Sequence, residues 1–240
     1  MSSDTNSSLS ANDPTLPVPR QVDYEWMSLD TWNRMHREHV ETARRGEAEL
    51  LVIGDSITEG WRNTAAWGKY FGAYKAANFG IGGDETQNLL WRLENGAVGN
   101  LKPKVVVLLI GTNNIGRGNN SVCDVLRGIG AVLARLRGAF PSAKILLLGI
   151  FPADQSPQSE MRRRIVAVNA SLPNFDDGAT VFVRDIGHIF LEPDDSISPA
   201  IMPDFLHLAE EGYRRWAELM APMVSQLMEG QPPSAPVAVV

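Results

Sequence analysis

Cysteine is almost absent from this chain of 240 residues, where Cys123 stands alone. No internal disulfide can form and no cysteine-based metal centre is available, so Cys123 is expected simply to pack on a helix. Positive charge is also scarce, with 22 Lys and Arg against 28 Asp and Glu and a formal net charge of −6. A protein that tracks phosphates needs a basic face, which excludes nucleic acid as an expected partner. No apolar run has the length of a bilayer span, and Met1 to Arg20 lacks the basic start and apolar core of a signal peptide. As written the chain reads as cytoplasmic with no membrane partner, an appearance shared by a secreted protein whose signal peptide has been removed.

What is present suits one globular domain, since 44% of the residues are apolar and 21% charged. The Ser-, Asn- and Pro-rich residues 1–20 read as a flexible arm, residues 21–228 as the domain, and the Pro- and Ala-rich end, 229–240, as a flexible tail. Leu29, Trp32, Met35, Val40 and Ala43 recur at near-helical spacing between Ser28 and Gly46, which predicts a helix over 29–46. His36 and His39 lie three apart on it. Two histidines so placed invite a metal, but no third ligand is near, so no metal site is expected.

Beyond Gly46 short apolar runs alternate with helical patterns. The runs are Leu50 to Ile53, Ala76 to Phe79, Val105 to Ile110, Ile145 to Ile150 and Thr180 to Val183, and each stops at or near Gly, Pro or Asp. Unbroken rather than alternating hydrophobicity is what a strand covered on both faces requires. Helices are expected over Asp84 to Asn95, Ser121 to Phe140, Glu160 to Leu172 and Ala209 to Leu227. The pattern predicts an α/β fold around an open, doubly wound parallel sheet of five strands, with ligands bound beyond the carboxyl ends of the strands.

Four blocks at such ends carry chemistry. Gly54-Asp55-Ser56 follows the first run, so Ser56 stands at the mouth of the sheet and at the start of a short helix, where backbone N–H groups are unpaired. Asp55 reads as a turn-bonding residue. In Asn78-Phe79-Gly80-Ile81-Gly82-Gly83-Asp84 the glycines suggest a dinucleotide loop, yet Glu85 stands where that fingerprint needs its last glycine. Such glycines also let a backbone N–H approach a substrate oxygen, and Gly83 is the candidate. Gly111-Thr112-Asn113-Asn114 offers an asparagine side-chain amide to the same oxygen, with Asn113 or Asn114 as a loop cap instead. Last, Asp204-Phe205-Leu206-His207 supplies a base and a carboxylate to orient it, which a serine hydroxyl needs before it can attack.

These blocks, in this order, resemble the SGNH hydrolases, also called GDSL esterases and lipases, over about Glu49 to Met220. Within that family the stretch from Asn78 to Gly96 and the run Lys102 to Asn114 are most similar to the platelet-activating-factor acetylhydrolase catalytic subunits and their bacterial relatives, some of them carbohydrate esterases. The resemblance implies a flavodoxin-like α/β fold of three layers, α/β/α, and ester hydrolysis with no cofactor and no metal. It makes Ser56 the nucleophile, His207 the base and Asp204 its orienter, with an oxyanion hole formed by Ser56 N–H, Gly83 N–H and the Asn113 side chain. The expected substrate is a small-molecule or carbohydrate ester with a short acyl group, acetyl foremost. A platelet-activating-factor-acetylhydrolase-like or lysophospholipase activity is the alternative. From another class, a non-catalytic flavodoxin-like module would hold a nucleotide or flavin on Gly80 to Gly83. A homodimer is left open. Trp61 and Trp67 are candidates to line the site, Trp91 reads as core, the loop 187–203 as a specificity loop, and His188 within it as solvated.

Overall fold

A computed structural model describes residues 13–234. Five strands, β1 (Leu50–Gly54), β2 (Ala77–Gly80), β3 (Val105–Leu109), β4 (Lys144–Leu148) and β5 (Val181–Arg184), form one sheet in the order β2-β1-β3-β4-β5. Every pair is parallel, with Leu51 opposite Val106 and Ile53 opposite Leu108. Successive side chains point to opposite faces, so each apolar run feeds two cores at once. Leu51, Ile53, Val106, Leu108, Ile145 and Leu147 meet the face covered by α4 (Thr86–Glu94), α6 (Val122–Ala139) and α7 (Glu160–Ser171). Leu50, Val52, Val105, Val107, Leu146 and Leu148 meet the other, covered by α3 (Ala65–Phe71) and α8 (Glu210–Met228). The expected α/β three-layer arrangement, with its flavodoxin-like strand order, is what the chain adopts.

The remaining helices are α1 (Leu29–Arg45) and two short ones at strand ends, α2 (Ser56–Glu59) and α5 (Thr112–Gly116). Helix α1 follows its local chemistry closely. Ser28 Oγ accepts from Thr31 N–H at its start, and Gly46 takes a left-handed φ of 69° at its end. Helix α4 begins two residues later than the apolar period suggested, because Asp84 turns into the interior and Glu85 and Asn88 close a capping box instead.

Three expectations need correction. Residues 1–12 lie outside the described residues, but 13–20 are not an arm: Pro14 and Arg20 are buried, Thr86 Oγ1 donates to Pro14 O at 2.8 Å, and Val18 N–H donates to Gln87 O at 3.1 Å. Composition is blind to such anchoring because it counts residues and not their partners. At the other end, 229–234 are tied down through Arg184, whose Nη2 donates to Pro233 O at 2.5 Å, while 235–240 lie outside the described residues. Cys123 is exposed in the first turn of α6 rather than packed.

His36 and His39 serve packing. His39 stacks on Phe79 with ring centroids 4.5 Å apart, and its Nε2 faces Arg62 Nη2 at 2.6 Å. His36 sits between Trp32 and Trp91, with Nε2 3.1 Å from Asn95 O. Burial, reinforced by the Arg92 charge, pushes His36 down to about 4. In the unfolded chain a histidine titrates near 6.5, so between these values the unfolded state binds the extra proton and stability falls as pH falls. The span corresponds to roughly 3 kcal/mol. Urea midpoints of wild type and His36→Gln should therefore diverge in the variant's favour as pH drops from 7 towards 4; parallel curves would show that His36 does not titrate with folding.

Candidate active site

A cleft of about 530 Å³ opens beyond the carboxyl ends of β1, β2 and β3. Its walls come from Trp26 and Met27, the turn from Ser56 to Asn63, Gly82 and Gly83, Asn113 and Arg117, and Leu206 and His207. Ser56 is the first residue of α2. Asp55 caps that helix through a 3.0 Å bond from Ile57 N–H to its Oδ1, which is the turn-bonding role read from the sequence. Burial, with Asp84 nearby, pushes the Asp55 carboxyl up to about 7.

His207 Nε2 lies 2.9 Å from Ser56 Oγ, and His207 Nδ1 lies 2.7 Å from Asp204 Oδ2. These residues are 151 positions apart in the chain for the first contact and three for the second. Asp204 has two tasks. Its Oδ1 accepts the backbone N–H groups of His207 at 2.7 Å and Leu206 at 3.1 Å, folding the tetrad into a tight turn, while Oδ2 faces the ring. Burial works to raise this carboxyl, but the bonds from the His207 ring and backbone outweigh it and hold Asp204 below the usual carboxylate value. The turn forces Phe205 to a φ of 58°, a left-handed conformation held by Asp154 N–H donating to Phe205 O at 2.8 Å.

The loop after β2 is fixed by partners on both sides. Gly82 N–H donates to Glu59 Oε2 at 2.6 Å and Asp84 N–H to Ile81 O at 3.2 Å, while Gly83 N–H, between them, has no acceptor among the described residues and lines the cleft. Below it Asp84 is fully buried, with Arg92 Nε at 2.7 Å, Trp32 Nε1 at 2.7 Å and Arg20 Nη2 at 3.5 Å. Asn113 also borders the cleft, and its Nδ2 donates one hydrogen to Asp84 O at 3.0 Å. Asn114 is fully buried and locked by Thr86, Gln87 and Asn120, which leaves only Asn113 of the two facing the cleft. The structure thus brings Ser56, Gly83, Asn113, Asp204 and His207 to one place.

Other candidates go elsewhere. Trp61 is wholly buried against Trp216 and Tyr213, Trp67 packs beside it, and Trp91 packs against Trp32. None lines the cleft. Its aromatic wall is Trp26, 55% exposed, which no sequence motif marked. The loop 187–203 lends no residue to the cleft; Ile197, Ile201 and Met202 are buried in the α8-side core, and His188 is exposed beside Arg214 and Arg215. Nor does the glycine loop resemble a phosphate cradle. A side chain at Gly80 would collide with the Glu59 backbone, and the start of α4 is closed by the Glu85 carboxylate, which repels an anion.

A model of the GDSL-like lipase/acylhydrolase family matches residues 52–215. The chain belongs to this family. Platelet-activating factor acetylhydrolase IB subunit alpha2 of Rattus norvegicus is 36% identical over 207 residues, spanning 85% of this chain and 87% of that protein. Subunit alpha1 of the Bos taurus protein is 37% identical, spanning 89% and 87%. Among solved structures, a GDSL-like lipase from Bacteroides thetaiotaomicron superposes with a TM-score of 0.66 at 21% identity over 82% of this chain and 97% of that one. A Geobacillus acetyl-xylooligosaccharide esterase reaches 0.58 at 20% identity over 73% and 93%; at these identities the likeness is one of fold. As a GDSL acylhydrolase the chain is a carboxylic ester hydrolase, and the non-catalytic flavin or nucleotide module is set aside.

Gly83 combines a φ of 74° with neighbours that leave no room: a Cβ there would stand 2.8 Å from both Arg20 Nη2 and Trp26. Gly68, in α3, has nothing within 4 Å of the same position. Gly83→Ala should lower stability by about 1–2 kcal/mol or more together with activity, whereas Gly68→Ala should raise stability by about 1 kcal/mol. Thermal denaturation of the pair checks this, and equal shifts would contradict it.

Proposed function

We propose that this GDSL acylhydrolase is a serine esterase for short acyl esters, acetyl foremost. The observation that carries the reading is the single imidazole whose two nitrogens face Ser56 Oγ at 2.9 Å and Asp204 Oδ2 at 2.7 Å. In the sequence of steps we assign, His207 Nε2 takes the Ser56 proton as Oγ attacks the ester carbonyl. Asp204 keeps the other proton on Nδ1 and stabilises the imidazolium. Negative charge gathers on the former carbonyl oxygen, where Ser56 N–H, Gly83 N–H and the remaining Asn113 Nδ2 hydrogen act as donors. The alcohol leaves with the proton from His207, and water repeats the route to release the acid and restore Ser56.

Short acyl groups are favoured because the apolar side chains lining the cleft, among the described residues, are confined to Trp26, Met27 and Leu206. The alcohol we favour is a small molecule or a carbohydrate, with Trp26 as a flat apolar platform beside polar groups. A second reading, acetyl ester hydrolysis on a phospholipid, draws support from the acetylhydrolase relatives at 36–37% identity. Acetate release from acetylated xylo-oligosaccharides and from an sn-2 acetyl phospholipid, measured side by side, decides between them.

Ser56→Ala should abolish p-nitrophenyl acetate hydrolysis and labelling by a fluorophosphonate, with circular dichroism unaltered; wild-type turnover in that variant would sink the mechanism. Asn113→Ala should reduce kcat on the order of 10²-fold with a far smaller change in KM, since its donor serves charge that appears in the transition state. Asn114→Ala, by contrast, removes buried bonds and should appear first as lost stability. If Asn113→Ala raised KM at constant kcat, the residue would be a ground-state contact and not an oxyanion donor.

A further inference from the structure

Arg20 lies outside the stretch matched by the family model, 52–215. It is nonetheless 6% exposed and packs beneath the Gly82–Gly83 loop that lines the cleft. Its Nη2 donates to Gly82 O at 2.5 Å and stands 3.5 Å from Asp84 Oδ1, while its guanidinium lies 4.6 Å from the Tyr24 ring centre and Nη1 3.2 Å from Met27 Sδ. The Gly82 carbonyl and the Gly83 N–H belong to one trans peptide unit, so they point in opposite directions. Whatever holds that carbonyl therefore aims the N–H. A glycine on each side makes this the peptide most able to rotate, and a rotated unit would turn its carbonyl, a negative dipole end, toward the oxyanion.

We propose that Arg20 is a positioning residue for the oxyanion hole: by gripping Gly82 O it fixes the Gly82–Gly83 peptide with Gly83 N–H toward the cleft. The inference rests on the assignment of Gly83 as an oxyanion donor. The same bond is charge-assisted and polarises the amide, which makes Gly83 N–H a stronger donor. Asp84 extends the effect to the second donor, for Asn113 Nδ2 donates to Asp84 O at 3.0 Å while Arg20 and Arg92 hold the Asp84 side chain. A segment that the composition marks as an arm thus completes the site.

The test uses the full chain and p-nitrophenyl acetate, with active sites counted by fluorophosphonate labelling so that unfolded protein is not scored. Arg20→Met should lower kcat per labelled site on the order of 10- to 100-fold, as small misplacement of a catalytic group does, while KM changes less than about threefold. Affinity for a boronic acid, which forms a tetrahedral adduct on serine, should fall in parallel with kcat. Arg20→Lys, which keeps one charged donor for Gly82 O, should recover part of both losses and carries the test if Arg20→Met does not fold. The proposal is overturned if either variant is less stable yet keeps wild-type kcat per labelled site, or if kcat falls while boronate affinity holds. Ser56→Ala, run beside them, separates the two levels: activity surviving there defeats the serine mechanism itself, whereas its loss with an unaffected Arg20 variant defeats only the role given to Arg20.

Discussion

Asp84 is a carboxylate with no exposure, and it is bonded by side chains from three separate parts of the chain: Arg20 before the first helix, Trp32 within α1, and Arg92 near the end of α4. Taking such a group out of water costs several kcal/mol, which the surrounding guanidinium groups and the indole N–H offset only while all stay in place. A network of this kind contributes little net stability compared with an apolar core. What it contributes is geometry. Arg92 also donates to Phe79 O at 3.0 Å and to Gly54 O at 3.3 Å, so the same cation ties the ends of β1 and β2 to the loop between them and the cleft. Ser56 begins two residues past Gly54, and Gly83 directly precedes Asp84, so one buried ion cluster sets the spacing of the groups that line the cleft.

The strand order supplies the rest of the placement. Strands β2, β1 and β3 are neighbours, and the segments leaving their carboxyl ends carry Gly83, Ser56 and Asn113 in the same lateral order. His207 has farther to come. It follows β5, at the opposite edge, and three strand spacings of about 4.8 Å separate that edge from β1. The stretch from Ile186 to Pro203 covers this distance along the sheet ends, pinned by the buried side chains of Ile197, Ile201 and Met202 and by Arg162 donating to Asp195 O at 3.2 Å. Its length thus answers the reach that delivers Asp204 and His207, which accounts for why it lends nothing to the cleft wall.

This division explains what could be read in the sequence. Strands covered on both faces announce themselves as unbroken apolar runs, and their order follows from short crossovers, so sheet and layers were legible. That Ser56, Gly83, Asp204, His207 and an asparagine of the pair Asn113-Asn114 meet at one cleft was legible because each stands in a short block whose residue types have few other uses together. Asp84, Arg92 and Arg20 were not, because a charged residue is by default a surface residue and only its partners reveal otherwise. Trp26 escaped notice for a related reason: a single aromatic residue in a polar stretch has no period to place it. Local composition does not separate Asn113 from Asn114, since adjacent residues of a helical turn are rotated by about 100° from one another; the family resemblance pointed to Asn113, and the turn places it at the cleft with Asn114 buried.

Left-handed backbone at Phe205 and Gly83, at φ of 58° and 74°, and the buried Asp55 carboxyl pushed up to about 7 all cluster within the site or directly beneath it. The Phe205 conformation is unfavourable on its own, by an amount on the order of 1–3 kcal/mol, and so is a carboxyl buried as Asp55 is, whereas glycine lets position 83 take its φ without steric cost. They persist because two apolar cores, one on each face of the sheet, hold the strand ends rigidly while the turns between them are bent to the chemistry. A relaxed Phe205 would let Asp204 release the backbone N–H groups of Leu206 and His207, and the imidazole would then pivot away from Ser56. The strain in that turn is therefore coupled to the two short contacts of His207, and the stability of the sheet is what keeps its imidazole in line with Ser56.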